Sequence, residues 1–454
     1  MRVLLVNPFQ GRLVNRKGRI YNRTWQPLDL ANCGAILENA GIDVSILDAN
    51  AEQLGPERVA RRAMGYHKVF ITSTSLDRWQ CPSLDISPFL DTVSKLKKVV
   101  PEVYIAGSHG TVRPVEMLQA TGACAVIRGE PEYTILDLCN NHTFSETSGI
   151  TYRSGNKIIE NPDQKLVDLN ELPIPAFHLL PMNKYYYEMV GDNFCILEMT
   201  RGCTSDCSFC LLKPYGHGVR KKSVDKLIRE LEHVINSFGT RNIYFIDLEF
   251  TVFRKQVIEF CKYIDKKNYQ ISWCCQTRFD LVDDELLSYM KKAGCRLIHF
   301  GVEAGSDRIL KTINKGITMD EIRKGMKQVK TAGIDTACFF MIGFPESDRQ
   351  DMRDIVKFAY ELWPDYPLFH IVSPYPGTKL FEKTESNPGL RFSDNTLFPE
   401  AVINDITLEE LKTLTKKAYI NYYLRPSYVF SRLTKGHFKT LRRQFKLFWS
   451  FVRN

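Results

Sequence analysis

Cys203, Cys207 and Cys210 stand in the run Glu198-Met-Thr-Arg-Gly-Cys-Thr-Ser-Asp-Cys-Ser-Phe-Cys210, a Cys-x3-Cys-x2-Cys spacing with an aromatic residue before the last cysteine. Three thiolates on one loop can hold three irons of a [4Fe–4S] cube and leave the fourth iron without a protein ligand. An iron left open in this way can bind a small molecule and pass it one electron. A zinc site usually wants four ligands, commonly as paired Cys-x2-Cys units. No fourth ligand sits at that spacing here, although His217 lies nearby. Four-cysteine ferredoxin patterns do not match either.

The elements that must position this loop read as two series of β/α units. In the first, strands are expected at Val3–Val6, Asp43–Leu47, Val69–Thr72, Val103–Ala106 and Ala125–Ile127, with a helix from Pro27 to Ala40 stopped by Gly41. Strands alternating with helices predict a parallel doubly wound sheet, whose ligands bind beyond the carboxyl ends of the strands. Those ends carry Asn7-Pro8, Ser73 to Cys81, Gly107-Ser-His-Gly110 and Arg128-Gly-Glu130. Residues 146–190 read as an irregular linker with a small hairpin around Ser154-Gly155. A second series follows, with strands expected at 195–199, 242–247, 271–275, 297–301, 336–341 and 368–372, and helices between them. Six units predict an incomplete (β/α)6 barrel, with its chemistry at the carboxyl ends of the strands.

At 454 residues the chain is long enough for two or three domains. Its 13 cysteines form no evenly spaced disulfide framework and suit a reducing cytoplasm. The apolar run at the start is too short for a signal peptide, and no run approaches the ~18 apolar residues of a membrane span. The net charge is +9, yet Arg425 to Asn454 holds eight Lys or Arg and no Asp or Glu, so the rest of the chain is close to neutral. A general nucleic-acid surface is therefore not expected. In that tail Phe438, Leu441, Phe445, Phe448 and Val452 fall on one helical stripe, with Lys439, Arg442, Arg443 and Lys446 off it. Such a pattern suits an amphipathic helix on anionic lipid, or a helix docked on its own barrel with a solvated basic face.

The cysteine motif, together with Phe300-Gly-Val-Glu303-Ala-Gly-Ser306 and Ser373-Pro-Tyr-Pro-Gly-Thr378, resembles the radical S-adenosylmethionine (SAM) superfamily. There the open iron chelates SAM, and the reduced cluster cleaves it to a 5′-deoxyadenosyl radical. The resemblance implies that Cys203, Cys207 and Cys210 are the metal ligands. It implies SAM contacts for Phe209, Asp247, Glu249, Arg278, Glu303, Met341 and Gly343. Arg278 would pair with the SAM carboxylate or, alternatively, with Asp280. Asp247 and Glu249 would reach SAM or simply cap the next helix. Tyr375 would face substrate or serve packing.

The first series, with Val3 to Pro8, Pro27-Leu-Asp-Leu, Gly107-Ser-His-Gly110 and Gly129-Glu130-Pro-Glu132, is similar to the cobalamin-binding domain of class B members. The cobalt-ligating Asp-x-His-x2-Gly motif is absent, as in that class. The corrin would then meet Asn7, Ser73, Arg78, Trp79, Gly107, His109, Gly129 and Glu130, with Arg78 or Trp79 crowding its lower face. An ordinary Rossmann-like domain without corrin is the alternative.

The fold expected is thus α/β. Residues 1–145 would be a Rossmann-like cobalamin-binding domain, 146–190 a linker, 191–385 a partial TIM-type radical SAM barrel, and 386–454 a helical region with the basic tail. The activity implied is cobalamin-dependent methylation of an unactivated carbon in a small-molecule or lipid-like substrate. A reductant such as ferredoxin or flavodoxin would serve it, in the cytoplasm or at the inner face of the membrane. Alternatives are a non-methylating cyclisation, oxidation or C–C coupling, and a non-catalytic cluster- or corrin-binding protein.

Overall fold

The computed structural model describes residues 1–9, 24–140, 143–187, 189–394 and 396–434. The amphipathic stripe from Phe438 to Val452 lies outside the described residues. The first sheet is built from β1 (Arg2–Asn7), β2 (Asp43–Asp48), β3 (Lys68–Thr72), β4 (Glu102–Ala106), β5 (Ala125–Ile127), β6 (Ile150–Ser154) and β7 (Lys157–Glu160), in the order β2-β1-β3-β4-β5-β6-β7. β1 to β5 pair in parallel. Their cores, such as Val3 to Val6 and Val69 to Ile71, are buried on both faces, as expected of strands with helices on either side.

The hairpin around Ser154-Gly155 does not stand in a linker. Ile150, Thr151 and Tyr152 are buried and pair antiparallel with β5, so β6 and β7 extend the first sheet. Between Glu160 and Phe194 the described residues carry only two short 3-10 turns and an isolated bridge from Tyr187 to Gly191. This is the irregular connection the prolines suggested.

The second sheet takes β8 (Phe194–Leu197), β11 (Asn242–Phe245), β12 (Ser272–Thr277), β13 (Cys295–Glu303), β14 (Asp335–Ile342) and β15 (Tyr366–Ile371) in sequential parallel order. β8 and β15 do not pair, so the barrel is incomplete. A two-stranded antiparallel ladder of β9 (Thr200–Gly202) and β10 (Val219–Lys221) closes the base of the cysteine loop.

Both free edges of the barrel sheet are covered by side chains that imitate a strand. At β8, Gln26 donates from Nε2 to the Phe194 carbonyl at 2.7 Å and accepts from the Ile196 amide at 3.2 Å. At β15, the helices Leu408–Tyr423 and Pro426–Thr434 supply tyrosines. Tyr419 accepts from the Phe369 amide, while Tyr423 and Tyr428 donate to the carbonyls of Pro367 and Asp365. An open sheet edge left bare would template unwanted pairing. One apolar core runs through both sheets, from Val3 and Phe70 to Ile298 and Phe340.

Candidate functional site

The three cysteines leave β9 and fold over the carboxyl ends of the barrel strands. All three are half-buried thiols. Burial and the Glu249 carboxylate push Cys203 up to about 12, burial raises Cys207, and burial and the two neighbouring thiols raise Cys210 well above the ordinary thiol range. The influence of Cys203 and Cys207 on Cys210 places all three thiols in one neighbourhood. Iron must displace their protons, so metal binding there releases acid. Among the described residues no three His, Cys, Asp or Glu could grip a single ion. Three separated thiols suit three irons of a cube better than one zinc.

Two buried carboxylates shape the approach to this loop. Glu249 accepts from the Thr204 amide at 2.8 Å, the Thr204 hydroxyl at 2.7 Å and the Ser205 hydroxyl at 2.9 Å. Asp247 accepts from the amides of Met199 and Thr200 and from the Thr200 hydroxyl. Burial raises Asp247 to about 7. Neither acid caps the following helix, whose first residue Arg254 follows Phe253 with no side-chain cap. Both brace the cysteine loop and the strand that leads to it.

Arg278 is fully engaged. Its Nε and Nη2 pair bidentately with Asp280 at 2.9 and 3.0 Å, Nη1 donates to Ser205 Oγ and the Lys315 carbonyl, and Nη2 also reaches the Gly316 carbonyl. The guanidinium fork expected for a SAM carboxylate is thus occupied by Asp280 in this conformation. Phe209 packs edge-on against Phe344, with ring centroids 5.4 Å apart. Glu303 ends β13 at a bulge, with φ +66, a left-handed conformation unusual for a glutamate. Its carboxylate takes the ammonium of Lys315 at 3.1 Å. Met341 and Gly343 end β14, and Gly343 turns at φ +94.

Gly301, Phe339 and Leu368 are neighbours across β13, β14 and β15, as are Met341 and His370. Of these five, four are half-buried and His370 is exposed, whereas Phe300, Phe340 and Phe369 on the helix-covered face are buried. The open barrel face therefore offers Phe339, Met341 and Leu368 as a largely apolar floor, with the exposed His370 ring 5.9 Å from that of Phe339. Tyr375 does not face it. Its hydroxyl donates to the Pro82 carbonyl in the first domain.

At the carboxyl ends of the first sheet, Asn7 donates to Asp48 at 2.9 Å. Trp79 is 0% exposed and donates from Nε1 to the Thr74 carbonyl, beneath Tyr215. It is a core residue and does not line an open face; half-buried Arg78 is the side chain of the pair nearer the surface. Ser73 and Gly107 stand side by side where the paired strands β3 and β4 end. Gly107 has φ +96, and a Cβ there would stand 2.8 Å from Ser73 Oγ and the Thr74 amide. His109 is fully buried. Its Nδ1 meets Thr74 Oγ1 at 3.0 Å and its Nε2 meets the Ser83 carbonyl at 2.8 Å, and burial lowers it to about 4. It is a neutral structural histidine with no nitrogen to offer a metal. Gly129 turns at φ +70, and its amide donates to Thr111 Oγ1.

Glu130 faces the other domain. It accepts from Arg201 at 3.1 Å, from Arg220 and from the Val167 amide. Arg201 also holds Glu198 bidentately, at 2.7 and 3.1 Å, and Glu132 at 2.8 Å, all of them 4% exposed or less. Although burial opposes its charge, these three carboxylates hold Arg201 charged, and Arg201 keeps Glu198 ionised. Glu132 is pushed up by burial and by Glu130, and its second oxygen has no hydrogen-bond partner among the described residues. This network joins the Gly129-Glu130-Pro-Glu132 segment to the residue two before Cys203. Sequence reasoning missed Arg201 and Lys315. The only local signals were an arginine inside the cysteine motif and a lysine in an Asn-Lys-Gly turn.

The carboxyl ends of the two sheets therefore meet. Tyr215 donates to Gln80 at 2.7 Å, Val112 packs with Leu211 and Phe398, and Arg201 grips Glu130. Residues 197–359 match the family model described as the radical SAM superfamily. An uncharacterised methyltransferase of Pyrococcus horikoshii is 31% identical, over 98% of this chain and 97% of that protein. The chain belongs to the radical SAM superfamily. The anaerobic magnesium-protoporphyrin IX monomethyl ester cyclase of Cereibacter sphaeroides is 26% identical over 84% of this chain, which spans 63% of the cyclase. Among solved structures, the radical SAM methyltransferase TsrM from Kitasatospora setae, with cobalamin and a [4Fe-4S] cluster bound, superposes with a TM-score of 0.70 at 14% identity, covering 92% of this chain and 81% of TsrM. The shared fold is the class B arrangement of a Rossmann-like sheet followed by a partial barrel.

Proposed function

We propose that this protein is a cobalamin-dependent radical SAM methyltransferase acting on an unactivated carbon. One observation carries the reading: the carboxyl ends of two parallel sheets, each a ligand-binding edge in its own right, face each other across the Arg201–Glu130 contact. Cys203, Cys207 and Cys210 would hold the cluster, and a corrin would lie against the turns at Ser73–Pro82, Gly107 and Gly129. When bound, the cluster with SAM supplies one-electron radical chemistry, and the corrin supplies a transferable methyl group.

The residues of the chain fix where this happens. Glu249 and Asp247 hold the cysteine loop, Glu303 and Gly301 shape the SAM side, and Phe339, Met341 and Leu368 floor the substrate side with apolar surface. His109 is spent on Thr74 and Ser83, which supports a corrin bound without a histidine ligand. The apolar floor favours a lipid-like or other largely apolar small molecule. A ferredoxin- or flavodoxin-type protein would supply electrons. The basic tail would rest on an anionic membrane; no helix among the described residues is long and apolar enough to cross one.

The likeness to a cyclase supports a second reading, a radical cyclisation or oxidation on the same scaffold. The two separate on products. After anaerobic reconstitution with iron, sulfide and cobalamin, the protein is incubated with SAM, a low-potential reductant and an extract of candidate apolar substrates. Methyl transfer gives 5′-deoxyadenosine and S-adenosylhomocysteine in equal amounts. 5′-Deoxyadenosine without S-adenosylhomocysteine would replace methylation by the second reading, and absence of both would remove enzymatic function.

A further inference from the structure

Lys315 is a buried lysine held at the cysteine loop by that loop's own bracing. The turn that carries it, with Asn314 at φ +55 and Gly316 at φ +66, is stitched to the loop at three points. The Ser208 amide donates to the Ile313 carbonyl at 2.9 Å, and Asn314 Nδ2 donates to the Asp206 carbonyl at 3.0 Å. Arg278 bridges Ser205 Oγ and the Lys315 carbonyl at 2.7 and 2.8 Å. Lys315 is 8% exposed and its ammonium lies 3.1 Å from Glu303. The backbone leaves room for this pair and little else: a Cβ on Gly301 would stand 2.1 Å from Glu303 Oε1 and 2.6 Å from Lys315 Nζ.

A buried lysine is normally pushed towards neutrality. Burial is the largest influence on Lys315 and works in that direction, but the ion pair with Glu303 at 3.1 Å opposes it and keeps the ammonium charged.

We propose that Lys315 is the buried counter-charge of the iron–sulfur cluster and sets how readily the cluster accepts an electron. This rests on the cluster reading above. A cube held by three thiolates is an anion, and one-electron reduction makes it more negative with no bond formed or broken. A fixed ammonium in a water-poor site stabilises the reduced state more than the oxidised one, since net charge and burial govern such potentials. Glu303 partly cancels Lys315, so the pair sets an intermediate value. Here Lys315 is a tuning residue acting on the cofactor's charge.

The test is a redox titration of the reconstituted protein without SAM, following the cluster's reduced-state EPR signal, with the electron supplied by dithionite through viologen mediators. Wild type, Lys315→Arg, Lys315→Met and Glu303→Gln are compared, with iron and sulfide counted in each. Lys315→Met is expected to lower the reduced-to-oxidised ratio at a fixed potential about tenfold, which is about 59 mV for one electron. Lys315→Arg stays within about threefold of wild type, and Glu303→Gln moves the ratio upwards. A Lys315→Met ratio within threefold of wild type at full iron content would overturn the inference. Should that variant fail to hold iron, Glu303→Gln decides, and a ratio unchanged or lowered there overturns it equally. A wild type that holds no cluster would sink the functional reading and this inference together, whereas unchanged potentials sink the inference alone.

Discussion

At the carboxyl ends of β1, β3 and β4 the polar side chains are spent on neighbouring protein groups: Asn7 on Asp48, His109 on Thr74 and Ser83, Trp79 on Thr74. At the ends of β9, β12 and β13 the same kinds of group are held under tension. Three thiols share one short loop, a glutamate sits at φ +66, and a buried ammonium is held against that glutamate. The first arrangement is a shaped surface of turns, suited to a large ligand gripped by form. The second stores electrostatic and backbone cost, as reactive sites do. The two ends would respond differently to substitution, and that difference can be tested.

The largest effect is expected at the cysteines. Replacing Cys203, Cys207 or Cys210 by alanine should abolish cluster iron and SAM cleavage while leaving the fold near wild type, because half-exposed thiols contribute little packing. Iron analysis, visible absorbance and circular dichroism together check this. Full activity surviving all three changes would remove the cysteine loop from the chemistry.

The junction between the two ends comes next. Arg201→Met removes the guanidinium shared by Glu130, Glu132 and Glu198 and leaves buried Glu132 without a counter-charge, while Arg220 still meets Glu130 and Lys222 lies 3.9 Å from Glu198. Breaking such a buried network costs about 3–5 kcal/mol. Urea denaturation should show it, and a loss below about 1 kcal/mol would mean that the two sheet ends are not locked together in solution.

A third contrast is in pH. Burial, with Glu132 and Asp77 nearby, raises Asp29 to about 7 from 3.8, and burial likewise raises Asp247 to about 7 and Asp48 to about 6. A folded carboxyl with a raised pKa binds more protons than the unfolded chain between about 4 and 7. These groups therefore make stability fall as pH rises through that window, and the cost is fully present above 7. His109, lowered to about 4 from 6.5, has the opposite sign: its contribution is lost as pH falls from 6.5 to 4. Asp29→Asn should be more stable than wild type at pH 8, by up to about 4 kcal/mol, and close to it at pH 4. Equal stabilities at both pH values would show that Asp29 is ionised at no cost in the native state.

The parts of this contrast visible in the chain were the local ones. The cysteine spacing lies within eight residues, and the β/α alternation of both sheets follows runs such as Val3 to Val6 and Phe194 to Leu197. What stayed hidden depends on partners far away in sequence. Arg201 meets Glu130 across 71 residues, and Tyr375 meets Pro82 across 293. The hairpin at Ser154 showed its turn but not the strand it would join. Arg278 could be read as a SAM ligand or as a partner of Asp280, and its five hydrogen bonds became visible only when Ser205, Lys315 and Gly316 were brought beside it. Trp79 resembled a ligand-facing aromatic because a strand-end loop is usually exposed; here a second domain covers it.

The smallest effect is expected at Arg78, and it bears most directly on the quiet end of the molecule. Unlike Trp79, this side chain is half-buried and lies outside the packed core of its loop. Arg78→Ala should change stability by about 1 kcal/mol or less, as a half-buried side chain outside the apolar core does. Trp79→Ala should cost about 3–5 kcal/mol through the cavity it leaves beneath Tyr215. If a corrin lies against this loop, Arg78→Ala should alter its visible spectrum or weaken its binding in a titration with cobalamin while the fold is untouched. Binding and spectrum both identical to wild type would move the corrin's lower face off Arg78 and onto the backbone turns at Gly107 and Gly129, where a ligand is gripped by shape alone.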